Sequence, residues 1–597
     1  MISKLLSHFV VGLSLLFSTN AFTQNPAVAA PESRDWIIKS NSYTKMLIDI
    51  DEKYSPEFGS TEGLSFYDTL IVVPTLANRN AERKEKEDAV ALLKEAKKNE
   101  TDKRVRQDLD ILINRMELNF RRQDYELNKE VSFFNPTNSI FEGIKVLLDD
   151  QTPTERYNSS VIRLLKYAGL QNGYQPLTTI LQERTVEQMK KPGLIYPSRQ
   201  ELEVTLSRNA SMINGIQELF IKYKISGWEK PYEITKKQLE EYDKWVRDNI
   251  LPKGRTDFRL SPEKYKLELE NYGIDIPPSE IAGMAHALFK DIQSQMKPIA
   301  EKLAKKYHMP SADYRALIQF FKKDQIIGDS ILPLYRSHLT EIENIIRKHH
   351  LVTLPNRPAI IKIATAAETA QQPAPHMVAP PFLNNTGQRG VFVLPLNMPP
   401  AAGEKTDKYD DFTFDAASWT IIAHEVRPGH EMQFDKMVEE GVSQARALYA
   451  FNSTNVEGWG LYSEYLMLPY MPDEGKLISL DYRLLRAARA FLDPELQAGT
   501  ITQQQALDLL MKDVVASHAF AQQEVERYTL RAPGQANSYF FGFTKMISLR
   551  RDTENALGSK FNQARFHDFI LSQGILPPAL IREAVMADFV TREKMNQ

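Results

Sequence analysis

The chain has 597 residues, 42% apolar and 25% charged, with a formal net charge of −3 and no cysteine. This is the composition of a soluble globular protein, and its near-neutral balance argues against a nucleic-acid surface or an anionic membrane partner. The lack of cysteine excludes disulfides, thiol nucleophiles and thiolate ligands, so any metal must be held by His, Asp, Glu or backbone oxygen.

In chain order, Lys4 precedes an apolar stretch, Leu5 to Phe17, and small residues surround Ala21. This pattern predicts a secretory signal peptide over 1–21, with a later cut near Ala29 as second choice, and a loose leader over 22–35. The apolar run is too short for a comfortable membrane span, and no other stretch is long enough. An exported, periplasmic protein with no stable membrane insertion after cleavage is expected. Residues 36–597 are expected to form one large helical domain, with possible subdomains 36–350 and 351–597. Helical spacing of apolar residues recurs at Ala89-Leu92-Leu93-Ala96, Leu109-Leu112-Ile113-Met116 and Met296-Ile299-Ala300-Leu303. The Lys- and Glu-rich stretch from Arg83 to Arg106 reads as a solvated helix face. Prolines crowd 354–401, and the runs Ala359 to Ile363 and Gly390 to Leu394 predict a small sheet or hairpin. The second run is either structural or a site edge that takes a substrate backbone as an added strand. Helical patterning resumes near 413, so the fold class is mainly α with one small β element.

The chemistry concentrates at Trp419 to Gln433. Asp415 is a reasonable N-cap, and Trp419, Ile422 and Val426 form an apolar stripe. His424 and Glu425 fall on the opposite face. In a common zinc helix two His stand four apart, with Glu beside the first as base. Here His430 is six residues on, which at about 100° per residue is roughly 120° away from His424. Both imidazoles reach one ion only if Pro428 and Gly429 break or bulge the helix. Glu431 is the competitor, nearly eclipsed with His424 in a regular helix; His430 is preferred because zinc favours imidazole. Downstream, Glu457 and Glu464 stand seven apart on one helix face, with Gly458 and Gly460 allowing close approach of another backbone. Glu457 is assigned as the third ligand and Glu464 as support for a His or the ion. Two His and one Glu leave a fourth position open, the arrangement of a catalytic zinc. A serine-hydrolase reading of Gly328-Asp329-Ser330 lacks the preceding strand, and no Gly-x-Ser-x-Gly elbow occurs.

These residues resemble the bacterial family called domain of unknown function 885, whose members look like zinc metallopeptidases of the gluzincin kind. Its His-Glu-x-x-Pro-Gly-His core is present as His424 to His430, and Glu-Gly-Trp-x-Leu-Tyr-x-Glu as Glu457 to Glu464. A third block pairs Arg527-Tyr528 with Pro533-Gly534-Gln535-Ala536, Tyr539 and Gly542. Ser55 to Asp68 and Lys264 to Gly273 also match. The Val-Glu-Gly-Trp around Glu457 is similar to the ligand segment of zinc aminopeptidases. The resemblance implies a large helical peptidase body with a deep cleft, one zinc ion, and peptide substrates. Many relatives carry His where Glu431 stands, and His where Gln497 stands.

The roles expected are as follows. Glu425 takes a proton from water and passes it to the leaving amine. Tyr539 is the first choice of oxyanion donor, Tyr528 the second and His518 the third. Arg527, Arg531 and Arg550 are candidates to grip a peptide carboxylate bidentately. The activity is exopeptidase (carboxypeptidase-like) or oligopeptidase; the alternative is a non-catalytic metal- or peptide-binding periplasmic protein.

Overall fold

A computed structural model describes residues 34–396 and 409–595. The expected signal peptide, nearly all of the expected leader, and Pro399 and Pro400 lie outside the described residues. The chain is mainly helical, and among the described residues no helix is long and apolar enough to cross a membrane.

The N-terminal half is helical because its apolar positions recur at helical spacing and polar side chains cap the ends. Helices α1 (Asp35–Tyr54), α2 (Leu76–Asn99) and α3 (Lys103–Lys129) pack together. Thr75 and Asp102 cap α2 and α3 by accepting from the backbone N–H groups of Asn78 and Arg104. Leu109, Leu112, Ile113 and Met116 are buried along α3 as their spacing predicts. In α2 the apolar stripe is narrower than expected: Ala89 and Leu93 are buried, whereas Leu92 is 61% exposed. The charged stretch is a solvated face carrying i,i+4 pairs such as Arg83–Glu87 and Lys84–Asp88. Further on come α4 (Arg199–Lys222) and α5 (Pro278–Lys306). Along α5, Ile281, Ala285, Ile292, Met296 and Leu303 are fully buried. They form one face that lies along the later helix Asp473–Ala498. Each large aliphatic among them contributes about 1.5–3 kcal/mol.

The predicted β element is a three-stranded sheet, not a hairpin. Its strands are β1 (Ile360–Ile363), β2 (His376–Val378) and β3 (Val391–Leu394), in the order β1-β3-β2. Strand β3 runs parallel to β1, with Ile360 opposite Val391, and antiparallel to β2, with His376 opposite Val393. This corrects the added-strand reading of Gly390 to Leu394. Both backbone edges of β3 are already paired, so a substrate strand has no place on it.

The C-terminal half contains α6 (Asp415–Glu425), α7 (His430–Glu440), α8 (Ser453–Met467), α9 (Asp473–Ala498), α10 (His518–Glu526) and α11 (Asn537–Leu557). A π-turn, Arg527–Arg531, continues α10. Helix α8 is pinned to α11 by two facing glycines. A Cβ on Gly458 would sit 2.6 Å from the Gly542 carbonyl carbon, and a Cβ on Gly542 would sit 2.0 Å from the Thr454 oxygen. The expected close backbone approach is therefore real at Gly458. Gly458→Ala forces the two helices apart, and overpacking of this kind costs about 1–3 kcal/mol. Thermal unfolding of that variant is expected to show a melting temperature several degrees below wild type.

Candidate functional site

Local structure solves the six-residue spacing by ending one helix and starting another. Helix α6 stops at Glu425 and α7 begins at His430, with Val426 to Gly429 between them. Val426 leaves helical geometry at φ −114°, ψ −92°, and the Arg427–Pro428 peptide is cis. Gly429 is required for packing: a Cβ there would lie 1.8 Å from the His424 carbonyl oxygen. Trp459 locks the break from α8 by donating Nε1–H to the Pro428 carbonyl at 2.9 Å. At the start of α6, Phe414 occupies the cap position without a side-chain bond, so Asp415 is the first helical residue, not the cap. Its charge still favours the positive end of the helix. Trp419, Ile422 and Val426 are all buried, as the stripe predicts.

The break turns His430 toward His424. Their rings meet edge to face with centroids 4.6 Å apart. Nε2 of His424 and Nε2 of His430 lie 3.3 and 3.4 Å from the same oxygen, Oε2 of Glu457. One donor atom from each of the three residues can be chosen so that all lie within 4.8 Å of one another. Gly460 makes room for them. A Cβ there would stand 2.6 Å from His424 Cε1 and 2.9 Å from His430 Cε1, so this glycine admits imidazoles and not a backbone. Glu464 accepts from His424 Nδ1–H at 2.7 Å and fixes the tautomer that presents Nε2 to the triad. Arg486 approaches Glu464 at 3.5 Å.

Glu431 is resolved as no part of this convergence. Fully buried, it accepts from Arg427 Nε at 2.9 Å. Arg427 also pairs with Glu343 and donates to the Arg357 carbonyl, so it clamps the helix break from the far side. Burial pushes the Glu431 carboxyl up to about 8 despite Arg427. Glu425 sits beside His424, half-buried, with Oε2 enclosed and unpartnered. Burial raises its pKa to about 7; His430 opposes the rise and Glu457 adds to it.

Tyr539 is brought to the triad. Its ring is nearly parallel to that of His424, with centroids 6.2 Å apart, and its hydroxyl accepts from Arg527 Nη2 at 2.9 Å. Burial pushes the phenol pKa up, Arg527 opposes this, and Glu457 adds to it. Tyr528 is not brought there. It points the other way and donates to Glu524, which Arg489 holds in two hydrogen bonds of 2.6 and 2.7 Å. Arg550 is likewise committed elsewhere, to Tyr462, Glu554 and Gln563. His518 opens α10 on the exposed surface.

Several contributors were not expected. Gln535 donates to Ser453 at 2.9 Å and reaches Glu457 at 3.4 Å; it lies inside the Pro533 to Ala536 block, which was the available signal. Asp493 accepts from Tyr265 and from the Gly534 amide, and so ties two of the matching sequence blocks into one buried knot. Gly534 has φ +91°, a conformation suited to glycine. Gln497 bridges the Leu260 amide and the Tyr528 carbonyl and has no contact with the triad.

The profile of a family described as bacterial protein of unknown function (DUF885) matches residues 56–585. The chain belongs to this family. A solved protein from Shewanella oneidensis, described as a candidate lipoprotein of unknown function, is 20% identical, with 92% of this chain and 99% of that chain covered and a TM-score of 0.68. A candidate lipoprotein from Colwellia psychrerythraea is 17% identical over 94% of this chain and 98% of that one, also at 0.68. These likenesses establish a shared fold across nearly the whole DUF885 chain. No curated protein matches.

One buried histidine near the site gives a pH-dependent stability. His567 donates Nδ1–H to the Leu351 carbonyl at 2.7 Å and accepts at Nε2 from Tyr462 at 2.7 Å. Burial holds its pKa down to about 3. The unfolded chain titrates near 6.5, so the contribution is complete above that value and is lost as pH falls toward 3. Melting temperature should therefore drop between pH 6.5 and 4 in the wild type, and drop less steeply in His567→Asn.

Proposed function

We propose that this DUF885 protein is an exported zinc-dependent peptidase, with His424, His430 and Glu457 as ligands. The observation that carries the reading is two imidazole nitrogens converging on one carboxylate oxygen, beside a glutamate that has an enclosed, unpartnered oxygen. The residues fit such an ion on chemical grounds as well. The donor set is nitrogen and oxygen only, as a cysteine-free chain demands, and Gly460 keeps a cradle open where any other residue would fill it. Zinc held by this set supplies Lewis acidity and acidifies water near neutral pH.

The remaining work falls to the chain. Glu425 takes the proton of the attacking water and delivers it to the leaving amine. Tyr539 donates its hydroxyl proton in a hydrogen bond to the developing oxyanion, held in place by Arg527. Glu464 keeps His424 in one tautomer, and Arg486 keeps Glu464 charged. Export rests on the signal-like N-terminal pattern and agrees with the lipoprotein descriptions of the two solved relatives.

The test is metal analysis of the purified protein together with cleavage of a peptide mixture, with and without chelator. Bound zinc and chelator-sensitive cleavage are expected, and chelator-insensitive cleavage overturns the reading. Glu425→Gln should keep its metal and lose about 10²–10⁴ in kcat; an unchanged rate removes Glu425 as the base, and bound metal without any cleavage by either wild type or variant assigns the chain to non-catalytic binding. Glu464→Ala should weaken zinc affinity about 10–100-fold, read by competition with a zinc-binding dye.

A further inference from the structure

A polar stripe leaves the triad along α10 and the π-turn. Gln523, Arg527 and Arg531 follow one another at four-residue steps, and the π-turn closes with an i→i+5 bond from Ala532 N to Arg527 O at 3.1 Å. Residues four apart therefore stay on one face. The first and last members of this face carry polar atoms with no partner. Gln523 is fully buried, and neither atom of its amide is bonded. Arg531 has its Nε enclosed and unbonded. Tyr409, whose phenol senses the Arg531 charge, is buried with an unbonded hydroxyl. Enclosed donors without acceptors are costly, so their persistence points to an acceptor that arrives from outside.

Charge identifies that acceptor. Among the described residues no carboxylate pairs with Arg531. The nearby Glu526 is taken by Arg208. Burial and the like charge of Arg208 hold the Arg531 pKa down to about 10, and the shared Glu526 carboxylate only partly opposes this. A planar anion with two oxygens is the natural complement of a guanidinium beside a phenol.

We infer that Arg531 and Tyr409 form the subsite for the free C-terminal carboxylate of a peptide, with Arg527 between that subsite and the triad. The inference rests on the peptidase reading and specifies its substrate: peptides with a free C-terminus, cut close to that end. The spacing agrees. Arg531 stands one turn, about 5–6 Å, beyond Arg527 along the axis, the length of one to two extended residues.

N-acetyl-trialanine and its C-terminal amide separate the possibilities. Cleavage by the zinc-loaded protein and calorimetric binding to the Glu425→Gln variant are measured with both. Preference for the free acid by about tenfold or more is expected in each assay, the size of one charge-assisted contact. Arg531→Met should bring the acid-to-amide ratio close to one, chiefly through KM, and Arg531→Lys should retain part of the preference. Tyr409→Phe, which removes a hydroxyl with little change of shape, should reduce the ratio without loss of melting temperature. Equal cleavage of acid and amide by the wild type overturns the subsite and leaves the peptidase reading standing. Selective binding of the acid without cleavage supports the subsite and sinks the peptidase reading. Neither binding nor cleavage overturns both.

Discussion

The site depends on how closely α8 can approach its neighbours. One helix face carries Glu457, Gly460 and Glu464, and the adjoining face carries Gly458. Without a side chain at 458, α8 meets the backbone of α11; without one at 460, it admits both imidazoles. Tyr539, on α11, thereby comes to stand beside a histidine of α6. Side-chain bulk at these positions would separate three helices whose contributions have meaning only together. The glycines lower helix propensity by roughly 1 kcal/mol each, and tight packing on both sides offsets that cost.

Buried charge is the second theme. Arg427 with Glu431, Arg489 with Glu524, and Arg446 with Asp108 are all almost fully enclosed. Such pairs add little net stability, because desolvation cancels most of the attraction, but loss of one partner is expensive. Their effect here is geometric. Arg427 fixes the break between α6 and α7, and Arg489 holds Glu524, which in turn holds Tyr528 away from the triad.

Much of this was legible in the sequence, for physical reasons. The demand that Pro428-Gly429 break the helix followed from six residues at 100° each, and the chain meets it with two separate helices. Glu457 and Glu464 were paired by their seven-residue spacing, which survives because α8 is regular. What could not be read was direction across long separations. Tyr528 and Tyr539 look alike in the sequence, and only the packing of α9 against the π-turn and α11 sends one to Glu524 and the other beside His424. Likewise Arg550 serves a structural cluster around Tyr462 and His567. Strand β3 has the composition of an edge or a centre alike, and its neighbours make it the centre. Leu92 shows the converse limit: a residue can fit a helical stripe and still face solvent.

The two ends of the triad, His424 and Glu457, are separated by only 33 positions. The His424–His430–Glu457 cluster is therefore a local supersecondary unit, whereas Tyr539, Arg527 and Arg531 come from a later part of the chain. The His/Glu cluster and the Tyr539–Arg527 pair thus reside in different stretches of polypeptide that meet across α8. Within such an architecture the segment after α9 can diverge in sequence while the unit that carries His424, His430 and Glu457 stays unchanged.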